Sequence, residues 1–142
     1  MKFAILVSRF NPEISDGLLS GAREYLATQK IAVSESDIFY APGAFEIPLL
    51  AQTLAKTKKY TGVITLGCVI KGDTAHFEFI SLGATIGIMQ AQLATEVPIA
   101  FGILTTYTDE QAHKRSRADA ENKGKEAAAA CLDAAELLAK LR

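Results

Sequence analysis

Four short apolar runs, Phe3 to Val7, Ile38 to Tyr40, Val63 to Val69 and Pro98 to Leu104, recur along the chain with helical patterns between them. This alternation constrains the fold more than any other feature. Strands separated by helices pair in parallel through right-handed crossovers, and a continuous apolar run reads as a strand covered on both faces. The pattern predicts an α/β fold, a flavodoxin-like three-layer sandwich with a four-stranded parallel sheet. A chain of 142 residues suits one domain, expected to span 1–142.

The helices carry their own signals. Asn11-Pro12-Glu13 announces the first, with Asn as N-cap, Pro at the first helical position and an acid facing the positive end of the dipole. Its buried stripe is Ile14, Leu18, Ala22, Tyr25 and Leu26, and it ends before Lys30. Ala41-Pro42-Gly43 closes the second strand, and a second helix runs from Ile47 to Ala55. The third, Phe77 to Leu93, is rich in small residues (Ser81, Gly83, Ala84, Gly87, Ala91). Gly83 and Gly87 cost about 1 kcal/mol each relative to Ala, which a close packing contact would offset. A polar helix is expected from Asp109 to Ala120, and a last one from Asn122, with Ala127, Ala130, Cys131, Ala134, Leu138 and Leu141 as its buried stripe.

Composition excludes several classes of function. An apolar fraction of 49% and a charged fraction of 22% are those of a folded chain. A net charge of -1 gives no basic field, so no nucleic acid is expected as a partner. Met1 to Val7 is too short for a signal peptide or a membrane span, and no membrane association is expected. The two cysteines, Cys68 and Cys131, fit reduced thiols and a cytoplasmic protein, with Cys68 as a small core side chain. No dinucleotide or P-loop glycine pattern occurs, and Ser8-Arg9-Phe10-Asn11 stands where a response regulator needs acids. Two isolated histidines build no ordinary zinc site, so no metal is expected.

What remains is a set of residues placed just after strands, where open α/β sheets bind ligands. Phe10 follows the first strand, Glu46 the second, Lys71 through His76 the third, and Thr105-Thr106 the fourth. In Gly67-Cys68-Val69-Ile70-Lys71-Gly72-Asp73-Thr74-Ala75-His76, Gly72 permits close backbone approach, Thr74 adds a hydroxyl beside helix-start amides, and His76 can move protons near neutral pH. Each residue has a plainer reading. Phe10 stacks on a planar ligand or covers the core; Glu46 binds hydroxyls or favours a helix dipole. Lys71 forms an imine or is solvated, and Arg115 clamps an anion or is solvated. His113 reads as an exposed helix residue, and Lys123 with Glu126 as an i,i+3 surface pair.

Taken together, these residues resemble the lumazine synthase family. The resemblance runs through Ser8-Arg9-Phe10-Asn11, Ala41-Pro42-Gly43-Ala44-Phe45-Glu46-Ile47-Pro48, the Gly67 to His76 loop, Pro98 to Thr106, Ala112-His113-Lys114-Arg115 and Asn122-Lys123-Gly124, in that order and over nearly the whole chain. It implies a cofactor-independent transferase that condenses 5-amino-6-(D-ribitylamino)uracil with 3,4-dihydroxy-2-butanone 4-phosphate in riboflavin biosynthesis. It further implies that Phe10 stacks on the pyrimidine, that Asn11 and Ala44 line its site, that Glu46 holds ribityl hydroxyls and that Val69 and Ile70 offer main-chain contacts. Asp73, Thr74 and Arg115 would bind the phosphate. His76 would shuttle protons, oriented or tuned by Glu126, while Phe101 and Lys123 would come from an adjacent subunit.

The implied partners are thus two small molecules and further copies of the chain, with riboflavin synthase as one more partner in the same pathway. A pentamer is expected rather than a sixty-subunit shell, because the chain begins almost at its first strand and Asp119 stands where the family often has a basic residue. Two other functions share many of these features: an archaeal-type riboflavin synthase, and a lumazine- or flavin-binding protein without catalysis.

Overall fold

The computed structural model describes residues 1–142. Strands β1 (Phe3–Ser8), β2 (Ile38–Ala41), β3 (Gly62–Ile70) and β4 (Ile99–Thr106) form one sheet in the order β2-β1-β3-β4. All neighbours are parallel, with Leu6 opposite both Phe39 and Thr65, and Thr65 opposite Phe101. This is the flavodoxin-like three-layer sandwich that the alternating pattern predicts. Every residue of β1 is buried, as expected of a strand covered on both faces.

Helices α1 (Pro12–Thr28), α2 (Ile47–Lys56), α3 (His76–Thr95), α4 (Asp109–Lys114) and α5 (Lys123–Leu141) cover the two faces. One core layer joins Phe3, Ile5 and Val7 of β1 to Leu18 and Leu26 of α1 and to Ala128 and Leu132 of α5. The other joins Leu6, Val63 and Ile103 to Ile47 and Ala51 of α2 and to Ala84 and Ile88 of α3. The glycines of α3 are used for close packing: a Cβ on Gly83 would press on the Phe45 ring, and one on Gly87 on the Pro48 ring.

Three local expectations need correction. Asn11 does precede α1, but its side chain caps nothing; the residue is left-handed (φ 53°, ψ 61°), a conformation that Asn tolerates better than most. The polar helix stops at Lys114 instead of Ala120. The chain beyond it is claimed by tertiary hydrogen bonds: Lys123 N–H donates to the Arg115 carbonyl (2.8 Å) and Asn122 Nδ2 to the Arg117 carbonyl (2.8 Å). Asp119 helps to fold this bend, its carboxylate accepting from Glu121 N–H at 2.9 Å. Finally, the buried stripe of α5 is Ala127, Ala128, Cys131, Leu132 and Ala135, while Ala130 and Leu141 are exposed. The stripe is rotated because α5 packs against α1 as well as the sheet.

Asn122 organises that contact. Its Oδ1 accepts from Gly124 and Lys125 N–H at 2.8 and 3.1 Å, and its Nδ2 donates to the Gly17 carbonyl at 3.1 Å. The side chain fits because Gly21 has none. Asn122→Ala removes a helix cap and takes a donor from the part-buried Gly17 and Arg117 carbonyls, so it is expected to destabilise the fold by about 2 to 4 kcal/mol in denaturant unfolding. A loss below about 0.5 kcal/mol would refute the role given to Asn122.

Polar side chains also gather at the amino end of the sheet. Tyr60 donates to Asp37 Oδ1 at 2.8 Å, Ser34 to its Oδ2 at 3.1 Å, and Lys2 stands 3.6 Å away. The Tyr60 hydrogen bond is the main reason the Asp37 carboxyl lies below its ordinary range. This group ties β1, β2 and β3 together at the end opposite the clefts.

Candidate active site

The strand order reverses beside β1, because the chain steps from β1 to β2 on one side and then to β3 on the other. Such a switch point opens a crevice at the carboxyl ends of the strands. A cleft of about 710 Å³ lies there, lined by residues that include Phe10, Asn11, Ala44, Glu46, Val69, Ile70 and His76. Seven of the expected site residues therefore converge from three different strand ends and the start of α3.

Local chemistry explains how Phe10 is presented. Its N–H donates to Ser8 Oγ (3.2 Å), its carbonyl accepts from Ser15 Oγ (3.0 Å), and left-handed Asn11 turns the chain away from it. Asn11 Nδ2 then donates to the Cys68 carbonyl (3.0 Å), bridging the ends of β1 and β3 across the crevice. The side chain expected to cap a helix instead ties the floor of the cleft. Phe10 is left 67% exposed, a planar apolar face open to a ligand. Gly43 leaves room for Phe10 and Glu46 beside it, since a Cβ there would come within 3.2 Å of both side chains.

The loop between β3 and α3 rims the cleft. Residues 71–76 are all exposed, and Asp73 and Thr74 line neither this cleft nor the next. His76 N–H donates to Thr74 Oγ1 at 3.4 Å, so Thr74 sits at the helix start. A Cβ on Gly72 would meet nothing within 4 Å, and its backbone is not left-handed; space above the loop, not conformation, is what this glycine provides.

Phe101, Arg115, Lys123 and Glu126 lie elsewhere. They line a second cleft of about 580 Å³, together with Thr105, Thr106, Tyr107, Gln111 and Glu121. Lys123 Nζ binds Glu126 Oε1 at 3.0 Å, the pair anticipated from spacing, and Arg115 Nη1 donates to the Gln111 carbonyl at 3.1 Å. Within one chain, then, His76 and Glu126 are not brought together, nor are the 71–76 loop and Arg115. His113 is exposed near Glu13 (3.9 Å) and lines neither cleft.

Sequence reasoning missed Gly43, Phe45, Ile80 and Asp109 as lining of the first cleft. Pro42-Gly43 was visible as a turn; Asp109 carried no signal, because only folding carries α4 to the end of β3. Cys68 lines the cleft, and burial pushes its thiol up to about 11, helped by the nearby Asp109 carboxylate and opposed by a Thr106 hydrogen bond; the raised value disfavours the reactive thiolate. No cluster of three His, Cys, Asp or Glu side chains stands close enough to hold a metal ion.

Fold and clefts define a parallel α/β protein with two clefts at the carboxyl edge of its sheet. The chain belongs to the 6,7-dimethyl-8-ribityllumazine synthase family, whose model matches residues 1–139. It is 63% identical over 141 residues to 6,7-dimethyl-8-ribityllumazine synthase 1 of Caulobacter vibrioides, covering 99% of this chain and 92% of that protein. The 6,7-dimethyl-8-ribityllumazine synthases of Leuconostoc mesenteroides and Salinibacter ruber are each 46% identical, with 90% of each relative covered.

Proposed function

We propose that this protein condenses 5-amino-6-(D-ribitylamino)uracil with 3,4-dihydroxy-2-butanone 4-phosphate to 6,7-dimethyl-8-ribityllumazine, releasing phosphate and water, at sites formed between copies of the chain. The observation that carries this reading is the division of the site. One cleft holds an aromatic face, a carboxylate and an imidazole; the other holds a guanidinium, an ammonium and Phe101. Neither suffices for a planar polyol and a phosphate ester together. The names of the relatives support the reaction.

In this reading Phe10 stacks on the pyrimidine, Glu46 binds ribityl hydroxyls, and the backbone at Val69 and Ile70 meets the ring edge, with Asn11 and Ala44 completing the wall. The neighbouring copy supplies four residues of its second cleft, Phe101, Arg115, Lys123 and Glu126. Arg115 with Asp73-Thr74 holds the phosphate, Lys123 and Phe101 close the site, and Glu126 orients His76 across the interface. The substrate amine is itself the nucleophile, so no lysine imine is needed. It forms an imine with the butanone carbonyl with loss of one water, phosphate departs by elimination, and the ribityl-bearing amine closes the ring on the second carbonyl with loss of another water. Positioning supplies much of the acceleration, and the guanidinium stabilises charge as phosphate leaves.

Surfaces outside the clefts support the assembly. On α3 the exposed Phe79, Leu82, Ile86, Met89 and Leu93 recur at alternating steps of three and four, the spacing of a coiled-coil seam. Strand β4 pairs only with β3, and beside its open edge runs a groove of about 370 Å³ lined by Ile88, Met89, Ala100, Phe101 and Ala130 among others. The two clefts are different surfaces, so a pairing that joins them is head to tail, the kind that forms a ring where its rotation closes. We take the ring to be a pentamer, the closure the family resemblance implies. Free, buried Cys68 and Cys131 accord with a cytoplasmic enzyme, and no helix is long and apolar enough to cross a membrane.

The purified protein, given both substrates, is expected to form the lumazine chromophore with one phosphate released per product. Riboflavin made from lumazine alone would instead indicate the riboflavin synthase activity. Binding of either compound without turnover would indicate a carrier. Native mass near five chains is expected, and an active monomer would overturn the shared site.

A further inference from the structure

Tyr107 is an exposed aromatic (67%) in the polar turn after β4, a place where composition alone gives a tyrosine no task. Its ring is nonetheless held from two directions. The Phe77 ring lies 6.0 Å away at an interplanar angle of 46°, and Lys71 Nζ stands 5.9 Å from the Tyr107 centroid, both within the range of favourable ring contacts. Lys71 opens the loop that precedes α3, and Phe77 stands just beyond its end in the first turn of that helix. One side chain therefore pins both ends of the segment assigned to the phosphate.

That segment has little else to fix it. Residues 71–76 are exposed, nothing lies within 4 Å of where a Gly72 Cβ would be, and its other anchors are at its two ends: Lys71 N–H to the Thr106 carbonyl (2.9 Å), His76 N–H to Thr74 Oγ1 (3.4 Å), and the Ala75 carbonyl accepting from Glu78 and Phe79 N–H in the first turn of α3 (3.0 and 3.4 Å). The turn that bears Tyr107 is itself braced. Tyr107 N–H donates to Gln111 Oε1 (2.8 Å), and the Gln111 carbonyl accepts from Arg115. The strut thus rests on α4 of its own chain.

We infer that Tyr107 is a positioning residue that keeps the Lys71–Ala75 loop ordered for the phosphate-bearing substrate, an inference that rests on the site assignment proposed above. A preordered loop spares the substrate the entropy of ordering it, so the benefit falls on the ligand that the loop contacts. The ring, not the hydroxyl, makes both contacts.

The test uses the assembled enzyme. Tyr107→Ala is expected to raise KM for 3,4-dihydroxy-2-butanone 4-phosphate about three- to twentyfold, while kcat and the KM for the pyrimidine stay within about twofold. Tyr107→Phe keeps both ring contacts and should behave as the parent. Amide hydrogen exchange over residues 71–77 should quicken in the alanine variant and not in the phenylalanine variant, with the native mass of each unchanged. Equal losses for both substrates, unchanged exchange, or a phenylalanine variant as impaired as the alanine one would each overturn the inference. Failure of the parent protein to make lumazine would sink the proposed reaction, while exchange would still decide whether Tyr107 orders the loop.

Discussion

Arg115→Ala is expected to lower kcat/KM by about 2 to 4 kcal/mol, roughly thirty- to a thousandfold, with the loss appearing in the parameters for 3,4-dihydroxy-2-butanone 4-phosphate. The size follows from the cleft. Lys123, the other cation there, is engaged by Glu126 at 3.0 Å, whereas Arg115 gives one hydrogen bond to the Gln111 carbonyl and keeps further N–H groups of its fork for a ligand. On the proposed assignment, a phosphate that gains charge as it leaves would be held chiefly by one bidentate donor. Arg115→Lys retains the charge and loses the fork, so it should recover only part of the activity. Steady-state kinetics with each substrate varied in turn decides the matter. Unchanged parameters for the phosphate substrate would remove Arg115 from the site.

His76→Ala should leave the fold and most of the substrate binding intact and slow turnover about a hundredfold, the usual contribution of a positioned general acid or base. The loss falls short of that if the two substrates condense readily without a catalyst, so the uncatalysed rate has to be subtracted. The divided site makes a sharper form of this experiment available. His76→Ala damages one cleft and Arg115→Ala the other. If sites form between copies, unfolding and reassembling an equal mixture of the two inactive proteins should restore about a quarter of the sites, those that receive an intact half from each variant. No recovery in mixed oligomers of native mass would mean that each chain works alone.

The alternation of apolar runs and helical stretches was enough for the fold, because a strand covered on both faces leaves an unbroken apolar signature in the chain. Helix ends were legible where local chemistry decides them, as with Asn122 at the start of α5. They were misjudged where distant groups compete for the backbone. Arg115 and Arg117 lose their carbonyls to Lys123 and Asn122, so α4 ends early, and Asn11 spends its amide on Cys68 across the crevice.

The candidate site divides in the same way. Phe10, Glu46 and His76 could be gathered from sequence, since each follows a strand and parallel strands end on one rim; Val69 and Ile70, at the end of β3, came with the family resemblance. That His76 and Glu126 belong to different clefts could not, nor that Asp109 reaches the first cleft and Tyr107 steadies the loop. Periodicity along a chain reports which side of an element is buried. It carries no information about which loops meet across the end of a sheet, because that depends on strand order, and the order β2-β1-β3-β4 is set by packing over the whole domain.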